Sequence, residues 1–331
     1  MFEKGDMMDN PKVSVIVPVY NVAEKIKRCA DSLLTQTLSE IEIIFVDDNS
    51  TDTSFEYLTA LAKTDDRVVV LKTKKNSGAG GARNVGLDHV RGEYVGFVDA
   101  DDFVKNDMFA DLYKKAKEGD YDIVDSPVFS LKDDAILEPG IKDVFCDRQL
   151  TNEQKELLLL SDGYIVSKIF RTALLRQNRV YFRENVKVED ADFLLKLILH
   201  GDKFGNIHDP KYIYDNRGEA ESWSVKDANE KEYTSILKLL KEYGHILKTD
   251  PKARECRSAI EAAILHFYHV GIECCIDQNS DTMSEESLYK LVEIKKVKNG
   301  IFKGGYDNPY FKSVVNDAVI EFMQWVDNIK V

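Results

Sequence analysis

Basic residues are in deficit in this 331-residue chain: 45 Lys and Arg stand against 58 Asp and Glu, a formal net charge of −13. Phosphate backbones call for basic surfaces, so no nucleic-acid partner is expected. Cysteine is sparse and unpatterned. Cys29, Cys146, Cys256, Cys274 and Cys275 show neither C-x-x-C spacing nor an even framework, and read as reduced packing thiols of a cytosolic protein. Long apolar runs are missing too. The longest, AIEAAILHFYHVGIECC from Ala259, contains Glu261, His266, His269 and Glu273 and falls short of the ~20 apolar residues of a membrane span. The opening MFEKGDMMDN is polar and acidic, so no signal peptide is read there. A soluble, cytoplasmic protein is expected, with peripheral contact at the inner face of the membrane left open. No repeat and no low-complexity linker interrupts the chain.

What is present is core-forming material. A 44% hydrophobic content over this length supports one large domain or one and a half smaller ones. VSVIVPV (13–19) is a nearly continuous β-branched run, as expected of a strand buried on both faces. NVAEKIKRCADSLL follows, with Asn21 and Glu24 spaced as a capping box. IEIIFV, RVVVL and EYVGFV read as three more strands, separated by helices over FEYLTALA and ARNVGLDHV. Alternation at this spacing means βαβ units and a mostly parallel sheet flanked by helices. Beyond residue 105 the pattern loosens. MFADLYKKA predicts a helix, YDIVDSPVF, RVYF and KYIYDN predict strands, and the chain from about Asp227 reads as a helical subdomain with breaks near Pro251, at 277–281 and at 304–309.

Ligands bind such sheets outside the carboxyl ends of the strands. There this sequence carries PVYN, DDNS, KNSGAGGAR and DADD. The last puts three carboxylates into four positions, and a divalent cation holding an anionic substrate would relieve their repulsion. Asp99 and Asp101 alternate with Ala100 and, on extended backbone, point the same way, whereas Asp102 points elsewhere. Asp48, next to a strand end, suits hydrogen bonds from a base or ribose. Asn49, Ser50 and Asp52 read as turn and cap residues. The glycine-rich loop feeding a helix suits a phosphate, with Arg83 on the first turn of that helix. Lys72, Lys74 and Lys75 read as solvated lysines.

In order and spacing, VSVIVPVYN, IIFVDDNSTD, NSGAGGARNVG and EYVGFVDADD resemble the family-2 glycosyltransferases with the GT-A fold. The resemblance is dense over 12–105 and thinner through SKIFR, VEDADF and YIYDNRGEAES to about 224. It implies a nucleotide-sugar half at 12–105, an acceptor half at 106–224 and a helical C-terminal subdomain at 225–331, after a tail at 1–11. It also implies roles: Pro18 and Tyr20 lining the base pocket, Asp48 on uracil or ribose, and Asn76 within the donor site. Arg83 would pair with the acidic rim or the diphosphate. Asp101 would be the direct ligand of Mn²⁺ or Mg²⁺, with Asp99 beside it facing the ribose and Asp102 supporting either role. The catalytic base falls on Asp190, with Glu189 as runner-up.

The implied activity is inverting transfer of one hexose from a nucleotide-diphosphate sugar, UDP-linked by expectation. The acceptor would be a surface polysaccharide on a lipid carrier or a glycoprotein glycan. Processive relatives carry Q-x-x-R-W and membrane spans; this sequence shows neither, which favours addition of a single sugar. Ile165 stands near where relatives often show tryptophan. Trp223 reads as packing or as an acceptor-stacking ring. His266 and His269 share a helix face without acidic or cysteine companions and read as packed residues. NPYF and FMQWV read as core or oligomer contacts, and the helical tail suits either a homodimer or a membrane surface. Two competing readings are a sugar-1-phosphate nucleotidylyltransferase and a non-catalytic nucleotide-sugar-binding scaffold.

Overall fold

The computed structural model describes residues 11–138, 140–159, 164–184, 189–217, 225–275, 284–302, 306–314 and 317–328. Strands β1 (Val13–Val19), β2 (Ile41–Asp47), β3 (Val68–Lys72) and β4 (Tyr94–Phe97) alternate with helices α1 (Ile26–Leu34), α2 (Ser54–Leu61) and α3 (Gly78–Leu87). All four strands are mutually parallel where they pair, in the order β4-β1-β2-β3, with Val17 opposite Phe45 and Phe45 opposite Val70. Every residue of β2 is buried, including Glu42. That carboxylate accepts the Ser14 hydroxyl and both the backbone N–H and the guanidinium of Arg91, so its burial is compensated.

The chain continues through β5 (Phe103–Val104), α4 (Met108–Gly119), β6 (Ile123–Asp125), β7 (Val128–Ser130), β8 (Ala135–Glu138), α5 (Asn152–Leu159), β9 (Lys168–Arg171), α6 (Thr172–Asn178), α7 (Glu189–His200), β10 (Phe204–Asn206) and β11 (Tyr212–Tyr214). The main sheet has seven strands, β10-β6-β9-β4-β1-β2-β3, and only β9 runs antiparallel to its neighbours. A second sheet, β5-β11-β7-β8, has four. YDIVDSPVF therefore forms two strands in different sheets, broken at Ser126–Pro127, where proline cannot donate to a ladder.

Two local expectations are corrected. α1 begins at Ile26, and Asn21 makes no capping box: it adopts φ +51, and its side-chain oxygen accepts the Thr51 N–H at 2.8 Å. RVYF forms no strand, although Val180 and Phe182 are buried and Tyr181 is exposed as in one. The partner of Phe182 is a side chain. Asn84 donates to its carbonyl at 2.9 Å and accepts its N–H at 2.8 Å, taking the place of a neighbouring strand.

The described residues fall into two compact units, one formed by those within 11–150, 164–184 and 189–217, the other by those within 151–159 and 225–328. The second holds α5, α8 (Val225–Thr249), α9 (Pro251–Glu255), α10 (Arg257–Glu273), α11 (Glu285–Ile301), α12 (Pro309–Val314) and α13 (Asp317–Asn328). The break at Pro251 has a clear cause: proline opens α9 and the Asp250 side chain accepts the Lys252 N–H at 2.9 Å. The break expected at 277–281 and the Trp223 ring lie outside the described residues. Buried Lys298 meets Asp327 at 2.6 Å, and that carboxylate also accepts the Tyr268 and Tyr306 hydroxyls. Phe311 and Met323 are core, whereas Trp325 is half exposed and stacks on Phe322. All five cysteines are free thiols. Among the described residues no helix is long and apolar enough to cross a membrane.

Candidate active site

The carboxyl ends of β1, β2, β3 and β4 open into one cleft of about 380 Å³. Its lining comes from each rim segment: Pro18, Val19, Tyr20 and Val22; Asp48; Asn76, Gly78, Ala79, Ala82 and Arg83; and Asp99, Ala100 and Asp101. The fold thus gathers Pro18, Tyr20, Asp48, Asn76, Arg83, Asp99 and Asp101, and leaves Asp102, Glu189 and Asp190 outside the lining.

Each wall is fixed by its own hydrogen bonds. The turn after β1 is stitched to the loop after β2, with the Ala23 N–H on Asp52 and the Val22 N–H on the Ser54 hydroxyl. Asp48 is buried, and its Oδ1 accepts the Thr73 hydroxyl at 2.8 Å and the Ser77 hydroxyl at 3.1 Å. The Ser77 N–H is shared between both carboxylate oxygens at 3.0 Å. A carboxylate oxygen accepts more than one donor, so Oδ2 retains capacity toward the cleft. Asn76 donates to the Asp48 carbonyl at 3.4 Å, which ties the glycine-rich loop to β2.

DADD is a tight turn, closed by the Asp102 N–H on the Asp99 carbonyl at 3.1 Å, so its side chains diverge. This replaces the extended geometry expected for Asp99 and Asp101. Asp99 turns to Arg83, at 2.9 Å; Asp101 lies 3.7 Å from Lys25. Asp102 points inward, accepting the Tyr212 hydroxyl at 2.5 Å and the Asp215 N–H at 2.9 Å. Burial, aided by the like charges of Asp99 and Asp101 and opposed by the Tyr212 bond, lifts the Asp102 carboxyl to about 7. The Asp101 carbonyl accepts from Arg28, whose other arm grips Asp215. Sequence patterning assigns Arg28, Tyr212 and Asp215 no role. YIYDN carried a signal through its family likeness, whereas nothing marks Arg28 among the other basic residues of α1.

Arg83 is the junction. One arm of its buried guanidinium reaches Asp99; the other reaches Glu189 at 3.0 Å and Asp190 at 3.1 Å, on the first turn of α7. Burial opposes its charge, but the surrounding Asp190, Asp99 and Glu189 carboxylates outweigh that and raise its pKa further. Asp190 moves the opposite way from a usual ion-pair partner. Burial comes first, and together with the nearby Glu189 and Asp99 charges it overcomes Arg83 and lifts Asp190 to about 7. A third of its side chain nevertheless stays open to solvent.

Among the described residues no cluster of three or more His, Cys, Asp or Glu side chains is arranged to hold a metal. The D-x-D turn nonetheless fits a divalent cation at a phosphate site. Such ions take one or two protein carboxylates and fill their shell with phosphate oxygens and water, and Asp99 and Asp101 are hard oxygen donors on the cleft wall, 37% and 40% exposed. His266 and His269 show no such set. Burial, then the neighbouring His269, lowers the pKa of His266, as expected of a packed ring.

The family model for glycosyl transferase family 2 matches residues 14–177. EpsJ of Bacillus subtilis, an uncharacterized glycosyltransferase, is 30% identical over 307 residues, covering 88% of this chain and 86% of its own. The chain belongs to glycosyltransferase family 2. A poly(ribitol-phosphate) β-glucosyltransferase of Bacillus spizizenii is 33% identical over 218 residues, which cover 65% of this chain but 34% of that longer protein. Among solved structures, residues 1–349 of Staphylococcus aureus TarS in complex with UDP-GlcNAc superpose with a TM-score of 0.73 at 23% identity, over 96% of this chain and 88% of that one. A Pyrobaculum calidifontis mannosyltransferase in complex with GDP-Man and Mn²⁺ gives 0.54 at 18%, over 96% and 87%. The mostly parallel sheet with flanking helices is thus the GT-A fold of this glycosyltransferase family.

Proposed function

We propose that this family-2 glycosyltransferase transfers one hexose, with inversion, from a UDP-sugar to a hydroxyl of a surface polysaccharide or glycoprotein glycan. The carrying observation is the Arg83 junction, in which one guanidinium that lines the cleft holds Asp99 of the D-x-D turn and the base candidates Asp190 and Glu189. Pro18 and Tyr20 would flank the base, with Asp48 accepting an N–H or ribose hydroxyl. The chemistry needs a carboxylate to take the acceptor proton while the oxygen attacks the anomeric carbon and the bond to the diphosphate breaks, its electron pair leaving on phosphate oxygen. Asp190, lifted to about 7, is matched to that proton near neutrality, with Glu189 as the alternative base. Arg83 holds the carboxylate in place and adds positive charge where the leaving group develops its negative charge. Asp101 and Asp99 would hold Mn²⁺ or Mg²⁺, which when bound supplies Lewis-acid neutralisation of the leaving diphosphate.

TarS structures with UDP-GlcNAc and with UDP support the choice of uridine. The polyol-phosphate acceptors named for the longer relatives support a surface polymer. The test offers UDP-hexoses with ribitol-phosphate polymer, lipid-linked glycans and glycoprotein glycans, reading the product's anomeric configuration by NMR. Inverted linkage to one acceptor class is expected. A retained configuration, or pyrophosphate release from UTP and a sugar 1-phosphate, would contradict the proposal.

A further inference from the structure

Asn84 follows Arg83 in the sequence, lies on α3 and does not line the cleft. Its amide clasps the backbone of Phe182 from both sides, donating to the carbonyl at 2.9 Å and accepting the N–H at 2.8 Å. Three further contacts make Phe182 a fixed point. Its ring stacks on Phe193 with centroids 3.9 Å apart and planes 5° from parallel. It meets Phe97 of β4 edge-on at 5.2 Å, and the Arg83 guanidinium lies 5.3 Å from its centroid. Gly80 admits the same segment from one turn earlier on α3: a Cβ there would collide with the Arg183 carbonyl oxygen. Phe193 in turn belongs to α7, three residues beyond Asp190, so both project from one face of that helix.

From this chain of contacts we propose that Asn84 is a positioning residue for the catalytic carboxylate, acting through Phe182 and the Phe182–Phe193 stack to set where α7 presents Asp190. The inference rests on Asp190 being the base. Asn84 touches neither the cleft nor Asp190, so its loss should leave nucleotide binding intact and weaken the chemical step. A displacement of about an ångström at a reacting group is enough to lower a rate about 100-fold. Asn84→Asp keeps the acceptor for the Phe182 N–H but turns its other oxygen on the Phe182 carbonyl, so it should be no faster than Asn84→Ala.

The experiment measures donor turnover and UDP affinity for the full chain, Asn84→Ala, Asn84→Asp and Asp190→Asn. Backbone amide exchange at 180–184 and 189–193 is read in the same samples. Expected for Asn84→Ala are a fall in kcat of about 10- to 100-fold, KM for donor and UDP affinity within about twofold, and faster exchange confined to those segments. Asn84→Asp should be no faster than Asn84→Ala. Turnover of Asn84→Ala within twofold of the parent, with Asp190→Asn inactive, would overturn the positioning role. Parallel loss of UDP affinity and turnover would do the same, since it would make Asn84 a general support of the cleft. An active Asp190→Asn would instead refute the base assignment and with it the inference. The exchange data would still report whether the clasp orders the segment.

Discussion

Asp190 carries two opposing influences, an Arg83 nitrogen at 3.1 Å and a largely protein-walled setting that, with nearby acids, lifts its pKa to about 7. A general base works deprotonated, so donor turnover should rise about tenfold per pH unit below 7 and level off above it. Asp190→Asn should abolish that limb and lower turnover about 10²- to 10⁴-fold, as a pH–rate series would record. A limb that survives in the variant would assign the base to Glu189. The same lift has a stability sign. The folded chain holds this proton more tightly than the unfolded one, so folding weakens as pH climbs from 3.8 to about 7, and the variant should show less of that slope. None of this was legible residue by residue. Asp190 lies 107 positions from Arg83, and an acid at a helix start is ordinary, so only family resemblance marked it.

At the scale of elements, α3 joins the cleft to the proposed base. It carries Arg83 and Asn84 and approaches β1 so closely that a Cβ on Gly86 would lie 2.6 Å from Cγ2 of Ile16. Glycine within a helix costs about 1 kcal/mol against alanine, and here close packing on the sheet requires it. Gly86→Ala should therefore destabilise rather than stabilise, by about 1–3 kcal/mol in urea unfolding; a more stable variant would refute the close approach. The first four strands were readable because buried parallel strands are continuous β-branched runs, and their rim residues follow them directly in sequence. RVYF misled for a related reason. Its alternation of buried and exposed residues is real, but its backbone partner is the Asn84 side chain, which no periodicity in that segment encodes. The mistaken capping box at Asn21 is similar: spacing cannot reveal that a side chain is already engaged by a distant loop.

Across the whole molecule, the compact units depend on different interactions. The helical unit buries Lys298 against Asp327 and two tyrosine hydroxyls. Lys298→Met would leave that carboxylate without its cation and should cost on the order of 3 kcal/mol, and adding Asp327→Leu should not recover it, because the buried Tyr268 and Tyr306 hydroxyls then lose their acceptor. Differential scanning calorimetry would check both. Helices of this unit were legible from their period and from Pro251, but the membership of α5 was not, since it lies far from the others in sequence. For the sheet-bearing unit, the proposed function requires that the cleft at the strand ends receive a nucleoside diphosphate with a divalent cation. Calorimetric titration with UDP, GDP and ADP, each with and without Mn²⁺, tests it most directly. Binding of UDP alone is expected, strengthened by Mn²⁺, with that metal effect lost in a folded Asp101→Ala variant. Binding of no nucleotide under any condition, or equal UDP binding in Asp101→Ala with and without Mn²⁺, would contradict it.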